Sequence, residues 1–244
     1  MQMSTLLHKL IHRAKFVGYK LLHRAYYKLL FNRHFPSERF VSTAIHTLER
    51  KWKRGDIPVS QEVWEAQYAS GRWKYMRELE ELPRYSIVAG YFQHFKPGGA
   101  LLDVGCGEGI LLERLGQLGY SKYVGIDISE TAIRQASKRK DEKTLFVCDN
   151  VLNYIPTELF DAIVFNETLY YFDNPFQVVE KYKHYLKHHG IMITCMYVNS
   201  ERAASVWRRL KTSYVSLDEV KASNKAKTWI FNVFLNAGMA MNDR

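Results

Sequence analysis

The sequence predicts an α/β fold, in which the strands of a parallel sheet alternate with helices. An apolar run passes into a glycine-rich loop at residues 101–109 and is followed by a new apolar segment, as expected for a strand, a tight loop and a helix start. A second apolar run, at residues 124–127, ends in a carboxylate. Two segments of alternating polarity, residues 214–220 and 228–234, predict an antiparallel hairpin near the C-terminus. The first two features are typical of a nucleoside site at the ends of neighbouring parallel strands.

The loop after the first strand has the spacing Gly-x-Gly-x-Gly, with glycines at Gly105, Gly107 and Gly109. Glycine adopts positive φ and has no Cβ, so a ligand can lie directly on the backbone and accept hydrogen bonds from its N–H groups. Asp127 follows Gly107 by 20 residues, at a place where a carboxylate accepts hydrogen bonds from ribose hydroxyls. The fingerprint of dinucleotide-binding enzymes requires glycine where this chain has Ile110, which disfavours a nicotinamide-dependent dehydrogenase.

Residues 103–109, with the sequence Asp-Val-Gly-Cys-Gly-Glu-Gly, resemble the cofactor loop of the class I S-adenosylmethionine-dependent methyltransferases. The resemblance covers residues 60–235. Its further segments each contain a strand of the sheet, and they are Thr144–Asn150, Phe160–Glu167 and His189–Cys195. The resemblance implies a three-layer α/β sandwich with a mostly parallel seven-stranded sheet that ends in an antiparallel hairpin, preceded by N-terminal helices.

The same resemblance implies that the chain binds S-adenosyl-L-methionine and releases S-adenosyl-L-homocysteine. Asp103 and the backbone of the glycine loop are then expected to hold the methionine portion, Asp127 the ribose and Asp149 the adenine amino group. Ile128 and Val151 are expected to lie on the two faces of the adenine. The full set of expected cofactor-binding residues is Asp103, Gly105, Cys106, Gly107, Gly109, Asp127, Ile128, Asp149, Asn150, Val151 and Asn166.

Methyl transfer is a direct displacement at a sulfonium carbon, so the protein mainly has to align donor and acceptor. Where the acceptor must lose a proton, Glu167 and Tyr170 after the fourth strand are candidates to accept that proton. Glu167 can equally bind the amino group of the donor. His94, on the helix before the first strand, is a third candidate, with a packed or solvated histidine as the alternative. The pair Asn166-Glu167 departs from the Asn-Pro-Pro-aromatic signature of nucleobase and glutamine N-methyltransferases, which disfavours those acceptors.

Residues 56–98 are predicted to form a helical lid, with a helix start at Ser60 and breaks near Ser70-Gly71 and Pro83. In the family, helices before the first strand cover the donor and shape the acceptor pocket. Four aromatic residues are therefore candidates to line that pocket, and an Arg-Tyr pair is a candidate to approach the carboxylate of the donor; the alternative is that these residues only pack the lid on the sheet. They are Trp64, Tyr68, Trp73, Tyr75, Arg84 and Tyr85.

Residues 1–55 contain twelve Lys or Arg and two Glu, so they account for the whole net charge of +10. Apolar residues recur at helical spacing from Leu6 to Leu29 and predict a basic amphipathic helix. Its apolar face can pack on the rest of the chain or on a second subunit in a homodimer. Alternatively, residues 1–35 lie on an anionic membrane surface or act as a targeting peptide. Nucleic-acid binding is disfavoured, because the basic residues alternate with an aliphatic stripe.

The sequence thus predicts three parts: a basic extension at residues 1–55, the lid at 56–98 and a methyltransferase core at 99–244. Three cysteines in neither a disulfide nor a zinc pattern favour a cytoplasmic location, with the inner face of a membrane as an alternative. No metal is expected, because no acid-rich cluster marks a Mg²⁺ site. The predicted reaction is methyl transfer to O or N of a small-molecule or lipid- or glycan-linked acceptor. The alternative is a nucleoside-binding or scaffolding protein that retains the fold.

Overall fold

The computed structural model describes residues 60–116, 119–198, 201–225 and 227–236. The predicted basic extension at residues 1–55, and the boundary between it and the lid, lie outside the described residues. The chain divides into two compact units, and the sheet and the site discussed below belong to the larger one.

Seven strands of the described ranges form one sheet, with the order β3-β2-β1-β4-β5-β7-β6. The first five strands are parallel, β7 is antiparallel to β5, and β6 is antiparallel to β7. The mostly parallel seven-stranded sheet with a terminal hairpin, predicted from the sequence, is therefore confirmed. The strands are β1 (Ala100–Val104), β2 (Lys122–Asp127), β3 (Thr144–Cys148), β4 (Phe160–Asn166), β5 (Leu186–Tyr197), β6 (Val215–Ser223) and β7 (Thr228–Leu235).

Helices in the described residues precede the sheet and connect its strands. They are α1 (Gln61–Ala69), α2 (Leu82–Phe95), α3 (Ile110–Leu115), α4 (Glu130–Ala136), α5 (Pro175–Lys183) and α6 (Glu201–Ser213). Side-chain caps fix two of these starts: Ser129 accepts from the N–H of Ala132 in α4, and Asn174 accepts from the N–H of Gln177 in α5. None of the helices in the described ranges is long and apolar enough to cross a membrane.

The two faces of the sheet are both covered, which gives the predicted three layers. Val88 and Phe92 of α2 pack in one cluster with Leu101 of β1 on the first face. On the opposite face, the ring of Phe165 in β4 meets the ring of Tyr182 in α5, with 6.0 Å between centroids. All five residues are almost fully buried. Burial of such apolar side chains on both faces explains why the parallel strands read as continuous hydrophobic runs.

The predicted lid is helical, but its details differ from the expectation. Helix α1 ends at Ala69, close to the predicted break, and two 3₁₀ turns follow at Lys74–Arg77 and Leu79–Glu81. Pro83 does not break a helix; it lies in the first turn of α2, where the missing N–H of proline costs no hydrogen bond. Ser60 precedes α1 as predicted, yet its side chain makes no cap hydrogen bond. Residues 60–81, which precede α2, are called the lid segment below.

Candidate active site

The glycine-rich loop leaves the end of β1 and turns into α3. Gly105 and Gly107 have φ of 76° and 54°, in the left-handed region. A Cβ at Gly107 would lie 2.7 Å from the hydroxyl oxygen of Tyr68, and a Cβ at Gly105 would lie 2.6 Å from Cγ2 of Thr168. Any larger residue therefore requires both a strained backbone and displacement of a neighbour. Gly109, also at positive φ, is the N-cap of α3.

Three N–H groups of this loop are already bonded within the protein. Those of Gly105 and Cys106 both donate to the carbonyl of Ile126, at 2.8 and 2.9 Å. The N–H of Gly107 donates to Oδ2 of Asp127 at 2.9 Å. The expectation that these N–H groups bind a ligand is therefore corrected: they attach the loop to β2 and set its shape. The missing Cβ atoms of Gly105 and Gly107 make room for Thr168 and Tyr68.

Asp127 lies at the end of β2 and is 8% exposed. In addition to the bond from Gly107, its Oδ1 accepts from the N–H of Ser129 at 3.0 Å. Burial raises the pKa of Asp127, while the backbone N–H donors oppose that rise. A carboxylate has about four lone-pair sites, so each oxygen retains one for a further donor. Asp127 can thus hold the loop and accept hydrogen bonds from a diol at the same time.

Asp103 in β1 is a buried acid whose hydrogen bonding is incomplete. Its Oδ2 accepts from the hydroxyl of Tyr123 at 2.6 Å, whereas Oδ1 finds no donor among the described residues. Burial raises the pKa of Asp103 to about 7, against the opposing hydrogen bond from Tyr123. Asn166, at the end of β4, also has a buried side-chain oxygen without a donor in the described part of the chain. A buried unpaired acceptor costs about 1–3 kcal/mol, which makes both oxygens candidates for contact with a ligand.

The other predicted cofactor residues lie where β2 and β3 end, and they are Ile128, Asp149, Asn150 and Val151. The parallel register of β2 and β3 brings these two strand ends side by side. Asp149 accepts the N–H of Asn150 on Oδ1 at 2.7 Å, and Asn150 accepts the N–H of Leu152 on its own Oδ1 at 2.9 Å. Val151 is buried and Ile128 is half-buried. The ends of β2 and β3 therefore present one acid, Asp149, and two apolar side chains at the same edge of the sheet.

Glu167 and Tyr170, the two candidates for proton transfer, lie together beyond the end of β4. The hydroxyl of Tyr170 donates to Oε2 of Glu167 at 2.7 Å. Glu167 has a φ of 64°, which costs a residue with a Cβ roughly 1–2 kcal/mol, and its N–H donates to the carbonyl of Cys195 at 2.9 Å. Burial raises the pKa of Glu167, opposed by the charge of Arg84 and by the Tyr170 hydroxyl. Backbone strain of this kind concentrates at functional sites.

Arg84, in the first turn of α2, is the buried cation of this region, with 4% of its surface exposed. Its Nε lies 3.1 Å from Oε2 of Glu81, and its Nη2 donates to the hydroxyl of Tyr85 at 2.6 Å. Its charge lowers the pKa of both Glu167 and Asp103 relative to burial alone. The guanidinium therefore acts on the acids at the ends of two different strands.

His94 is not brought to this site. It is exposed near the end of α2, where its ring meets that of Phe95. The chain continues from there into the start of β1, whereas the glycine loop follows the end of β1. His94 thus lies towards the opposite edge of the sheet, and the prediction of a catalytic base at this position is corrected. Among the described residues, no group of three or more His, Cys, Asp or Glu side chains is placed to hold a metal ion.

Glu65 attaches the lid segment to the start of α4, a role that was not predicted from the sequence. Its carboxylate accepts from the hydroxyl of Ser129 at 2.6 Å, from the N–H of Thr131 at 3.2 Å and from the hydroxyl of Thr131. These hydrogen bonds lower the pKa of Glu65. One turn further along α1, Tyr68 is buried against Gly107. The contacts of Glu65 join residues more than 60 positions apart, so no local pattern in the sequence could have revealed them.

Aromatic residues of the lid segment form a continuous group that reaches the loop after β4. Trp64 stacks on Trp73 at 5.7 Å between centroids and meets Tyr171 edge-on at 4.9 Å. Trp73 also lies 5.9 Å from Tyr75, which is 42% exposed. The group, called the aromatic wall below, adjoins Tyr170 and hence Glu167.

Residues 95–235 match the family model described as a methyltransferase domain. The chain belongs to this methyltransferase-domain family. The matched region begins at the end of α2 and includes all seven strands, the glycine loop and the cluster around Glu167. Family membership thus covers the whole sheet but not the lid segment.

Individual relatives differ in what they methylate. The ubiquinone biosynthesis O-methyltransferase of Glaesserella parasuis serovar 5 is 31% identical over 104 residues, which are 39% of this chain and 44% of that protein. The mRNA cap guanine-N(7) methyltransferase of Saccharomyces cerevisiae is 38% identical over 64 residues, or 26% of this chain and 14% of that protein. This chain therefore spans less than half the length of either relative.

Solved structures of methyltransferases share the fold. The N-methyltransferase NodS from Bradyrhizobium japonicum WM9, in complex with S-adenosyl-L-homocysteine, superposes with a TM-score of 0.63 and 18% identity. The match covers 72% of this chain and 97% of that chain. At this identity the likeness establishes the fold of the methyltransferase-domain family and leaves the acceptor open.

Proposed function

We propose that the protein is an S-adenosyl-L-methionine-dependent methyltransferase that acts on O or N of a small-molecule acceptor, or of an acceptor linked to a lipid or glycan. The observation that carries this proposal is a buried hydrogen-bond acceptor together with a buried cation near the end of β1. Asp103 Oδ1 is a buried acceptor without a donor among the described residues, and Arg84 is a buried cation. The methionine portion of the donor carries an ammonium and a carboxylate, which match these two groups.

The remaining residues of the edge fit the rest of the donor. Asp127 retains acceptor sites suited to the ribose hydroxyls, and Asp149 is an acid suited to the adenine amino group. Ile128 and Val151 supply apolar surface for the adenine ring. When bound, S-adenosyl-L-methionine supplies an electrophilic methyl group on a sulfonium sulfur, and S-adenosyl-L-homocysteine is what remains.

On the acceptor side, the chain has to orient a nucleophile and, for a protonated acceptor, take up a proton. We assign the uptake of this proton to Glu167, because its raised pKa makes it a stronger base than an ordinary carboxylate. Tyr170 orients it by donating to Oε2. Orientation of bound groups by such contacts accounts for several kcal/mol of barrier reduction in enzymes.

The aromatic wall favours a ring-shaped acceptor, such as a phenolic compound or a sugar. Trp and Tyr faces bind flat or apolar ring surfaces with little loss of side-chain entropy. The ubiquinone biosynthesis relative is named for an O-methylation, which is consistent with this choice. The cap methyltransferase relative keeps RNA as the competing acceptor to be tested.

Label transfer from S-adenosyl-L-methionine with a tritiated methyl group tests the proposal. The full-length protein is incubated with separate pools of small molecules, lipids, glycans, RNA and protein, and label is counted in each pool. We expect incorporation into one of the first three pools, abolished in Asp127→Ala and retained in Glu142→Gln, an exposed acid before β3. Incorporation into RNA or protein alone would overturn the acceptor assignment. Donor binding without transfer to any pool would favour the scaffolding alternative.

The role of residues 1–55 stays a prediction, because they lie outside the described residues. Their charge favours an anionic membrane surface, where each basic residue contributes on the order of 1 kcal/mol before screening by salt. Co-sedimentation of the full chain with vesicles of anionic lipid, compared with neutral vesicles, tests this interaction. Equal binding to both vesicle types, or none, would contradict it.

A further inference from the structure

The charged cluster around Arg84 extends outward to the connector between β6 and β7. Glu81, which is 2% exposed, has Oε2 at 3.1 Å from Nε of Arg84, and its Oε1 pairs with Nζ of Lys227. Its carboxylate is thus shared by two cations, with one oxygen for each. A buried carboxylate with two cationic partners has its orientation fixed from both sides.

The connector is itself held against the lid segment. Nζ of Lys227 lies 4.5 Å from the ring centre of Tyr75, and Nδ2 of Asn224 donates to the carbonyl of Glu80 at 2.8 Å. Oδ1 of Asn224 accepts from the N–H of Lys227 at 2.8 Å, which fixes the connector in a turn. The lysine is therefore directed at Glu81 by contacts that do not involve Glu81.

Arg84 lies between this carboxylate and the centre of the site. Oε2 of Glu81 forms an ion pair with Nε at 3.1 Å that lacks hydrogen-bond geometry, while Nη2 donates to the hydroxyl of Tyr85 and the guanidinium lies 4.4 Å from the Tyr85 ring centre. Because a guanidinium is a rigid plane, the ion pair on one side and the hydrogen bond at Nη2 together restrict its orientation. A buried arginine without a compensating carboxylate would also be costly.

We propose that Glu81 is a positioning residue for donor binding. With Lys227, it holds the Arg84 guanidinium in the orientation that receives the carboxylate of the donor's methionine portion. The inference rests on the proposed function, because that carboxylate belongs to the proposed donor. The connector at the hairpin edge of the sheet thereby controls affinity for one end of the donor, and the adenosine end is bound independently of it.

Two ligands separate this role from a general effect on folding. S-adenosyl-L-homocysteine carries the carboxylate, whereas 5′-deoxy-5′-methylthioadenosine lacks the whole amino-acid portion. In calorimetric titrations of the full-length protein, we expect Glu81→Gln to weaken S-adenosyl-L-homocysteine binding roughly tenfold. Affinity for the methylthioadenosine should change less than about twofold, since its contacts lie at Asp127 and beyond. Glu80→Gln, the same change at the adjacent exposed acid, is the matched control and should alter neither affinity.

A double-mutant cycle tests whether Glu81 acts through Arg84. Arg84→Gln should weaken S-adenosyl-L-homocysteine binding at least as much as Glu81→Gln does. The double variant should then bind no more weakly than Arg84→Gln alone, because the two residues act as one unit. Additive losses in the double variant would overturn the positioning role.

Removal of Glu81 can prevent folding, because it leaves Arg84 buried without its partner. In that case Lys227→Met, at a residue that is half-buried, is titrated with the same two ligands. We expect roughly threefold weaker binding of S-adenosyl-L-homocysteine and unchanged binding of the methylthioadenosine. Equal losses for both ligands, or no loss for either, would overturn the inference. Failure of the wild-type protein to bind S-adenosyl-L-homocysteine would instead refute the proposed function.

Discussion

The proposed donor side of the site and the proposed acceptor side are assembled through different kinds of contacts. Asp103, the glycine loop and Asp127 lie within 25 residues of sequence, and backbone groups make most of the contacts that shape them. The proposed acceptor side combines Glu167 and Tyr170 with the aromatic wall, which come from separate segments and meet through side chains. The first arrangement suits a ligand common to a family, and the second can change with the acceptor.

The largest effect that separates the two sides is expected for Glu167→Gln. If Glu167 takes up the acceptor proton, kcat should fall about 100-fold or more, because general bases contribute factors of that order. Affinity for S-adenosyl-L-homocysteine should stay within roughly threefold, since the donor contacts are unchanged. Steady-state kinetics with the acceptor found by label transfer, beside titration of the same variant, give both numbers. A parallel loss of donor affinity would instead assign Glu167 to the donor's amino group.

Gly107→Ala should affect the donor side through the backbone. The new Cβ meets the Tyr68 hydroxyl at 2.7 Å in a residue at φ 54°, so the free energy of unfolding should fall by roughly 2–4 kcal/mol. Gly90→Ala is the matched control, because nothing lies within 4 Å of its Cβ in the middle of α2, and it should be stabilising by about 0.5–1 kcal/mol. Urea denaturation measures both changes.

The Tyr68 hydroxyl is the specific cause of that clash, which a second variant can check. Adding Tyr68→Phe to Gly107→Ala removes the atom at 2.7 Å and leaves the ring carbon at 3.6 Å. Part of the lost stability should return, while the strain at positive φ remains. If the double variant is no more stable than Gly107→Ala, the lid segment does not press on the loop as described.

Donor affinity should rise with pH through the ionisation of Asp103. Its pKa is about 7 in the folded protein, and binding of an ammonium requires the ionised form. Affinity for S-adenosyl-L-homocysteine should therefore increase roughly tenfold between pH 6 and 8. Asp103→Asn should bind weakly with no dependence on pH in that range. A flat profile in the wild-type protein would contradict the role of Asp103.

From the raised pKa of Asp103 we also predict how the stability of the ligand-free protein changes with pH. The folded pKa of Asp103 is raised above its ordinary value, so between about pH 4 and 7 the unfolded state has lost a proton that the native state keeps. The contribution of Asp103 to the free energy of unfolding is fully present below about pH 4 and is lost as the pH rises to about 7. Thermal unfolding of Asp103→Asn against the wild-type protein isolates it.

The smallest effect is expected for Glu65→Gln. The variant weakens the hydrogen bonds from Ser129 and Thr131 that attach the lid segment to α4, at a site that is half-exposed. We expect S-adenosyl-L-homocysteine to dissociate about three- to fivefold faster, because Tyr68 covers the glycine loop less tightly. Stopped-flow displacement measures the rate, with Glu62→Gln on the exposed side of α1 as control. An unchanged rate would mean that the hydrogen bonds of Glu65 do not limit release of the ligand.

The strands and the glycine loop around the proposed donor side could be predicted because their signals are local. Strand, glycine loop and terminal acid follow each other within one βαβ unit, and the parallel sheet with its hairpin came from the same kind of pattern. The bonding of the loop N–H groups to Ile126 was not predicted, because a glycine pattern gives the shape of a loop and not its partners. Pro83 was taken as a break although proline also fits a first helical turn.

The contacts of the lid segment could not be predicted to the same depth, because they are long-range. Glu81 pairs with Lys227 at a separation of 146 residues, and Glu65 meets Thr131 at a separation of 66. His94 failed as a candidate because its place on a helix before β1 did not reveal which end of the strand it would face. Glu167 and Tyr170 stay a prediction as catalytic residues, and they could be proposed because they directly follow a strand whose end lies at the site edge.

The central claim is that the end of β1 and β2 binds the donor, and calorimetric titration with S-adenosyl-L-homocysteine tests it most directly. We predict binding in the micromolar range for the full-length protein, unchanged binding for Glu142→Gln and a loss of at least tenfold for Asp127→Ala, since a charged acceptor of hydrogen bonds contributes about 1.5–3 kcal/mol. Absence of binding by the folded wild-type protein, or binding that survives Asp127→Ala unchanged, would contradict the claim.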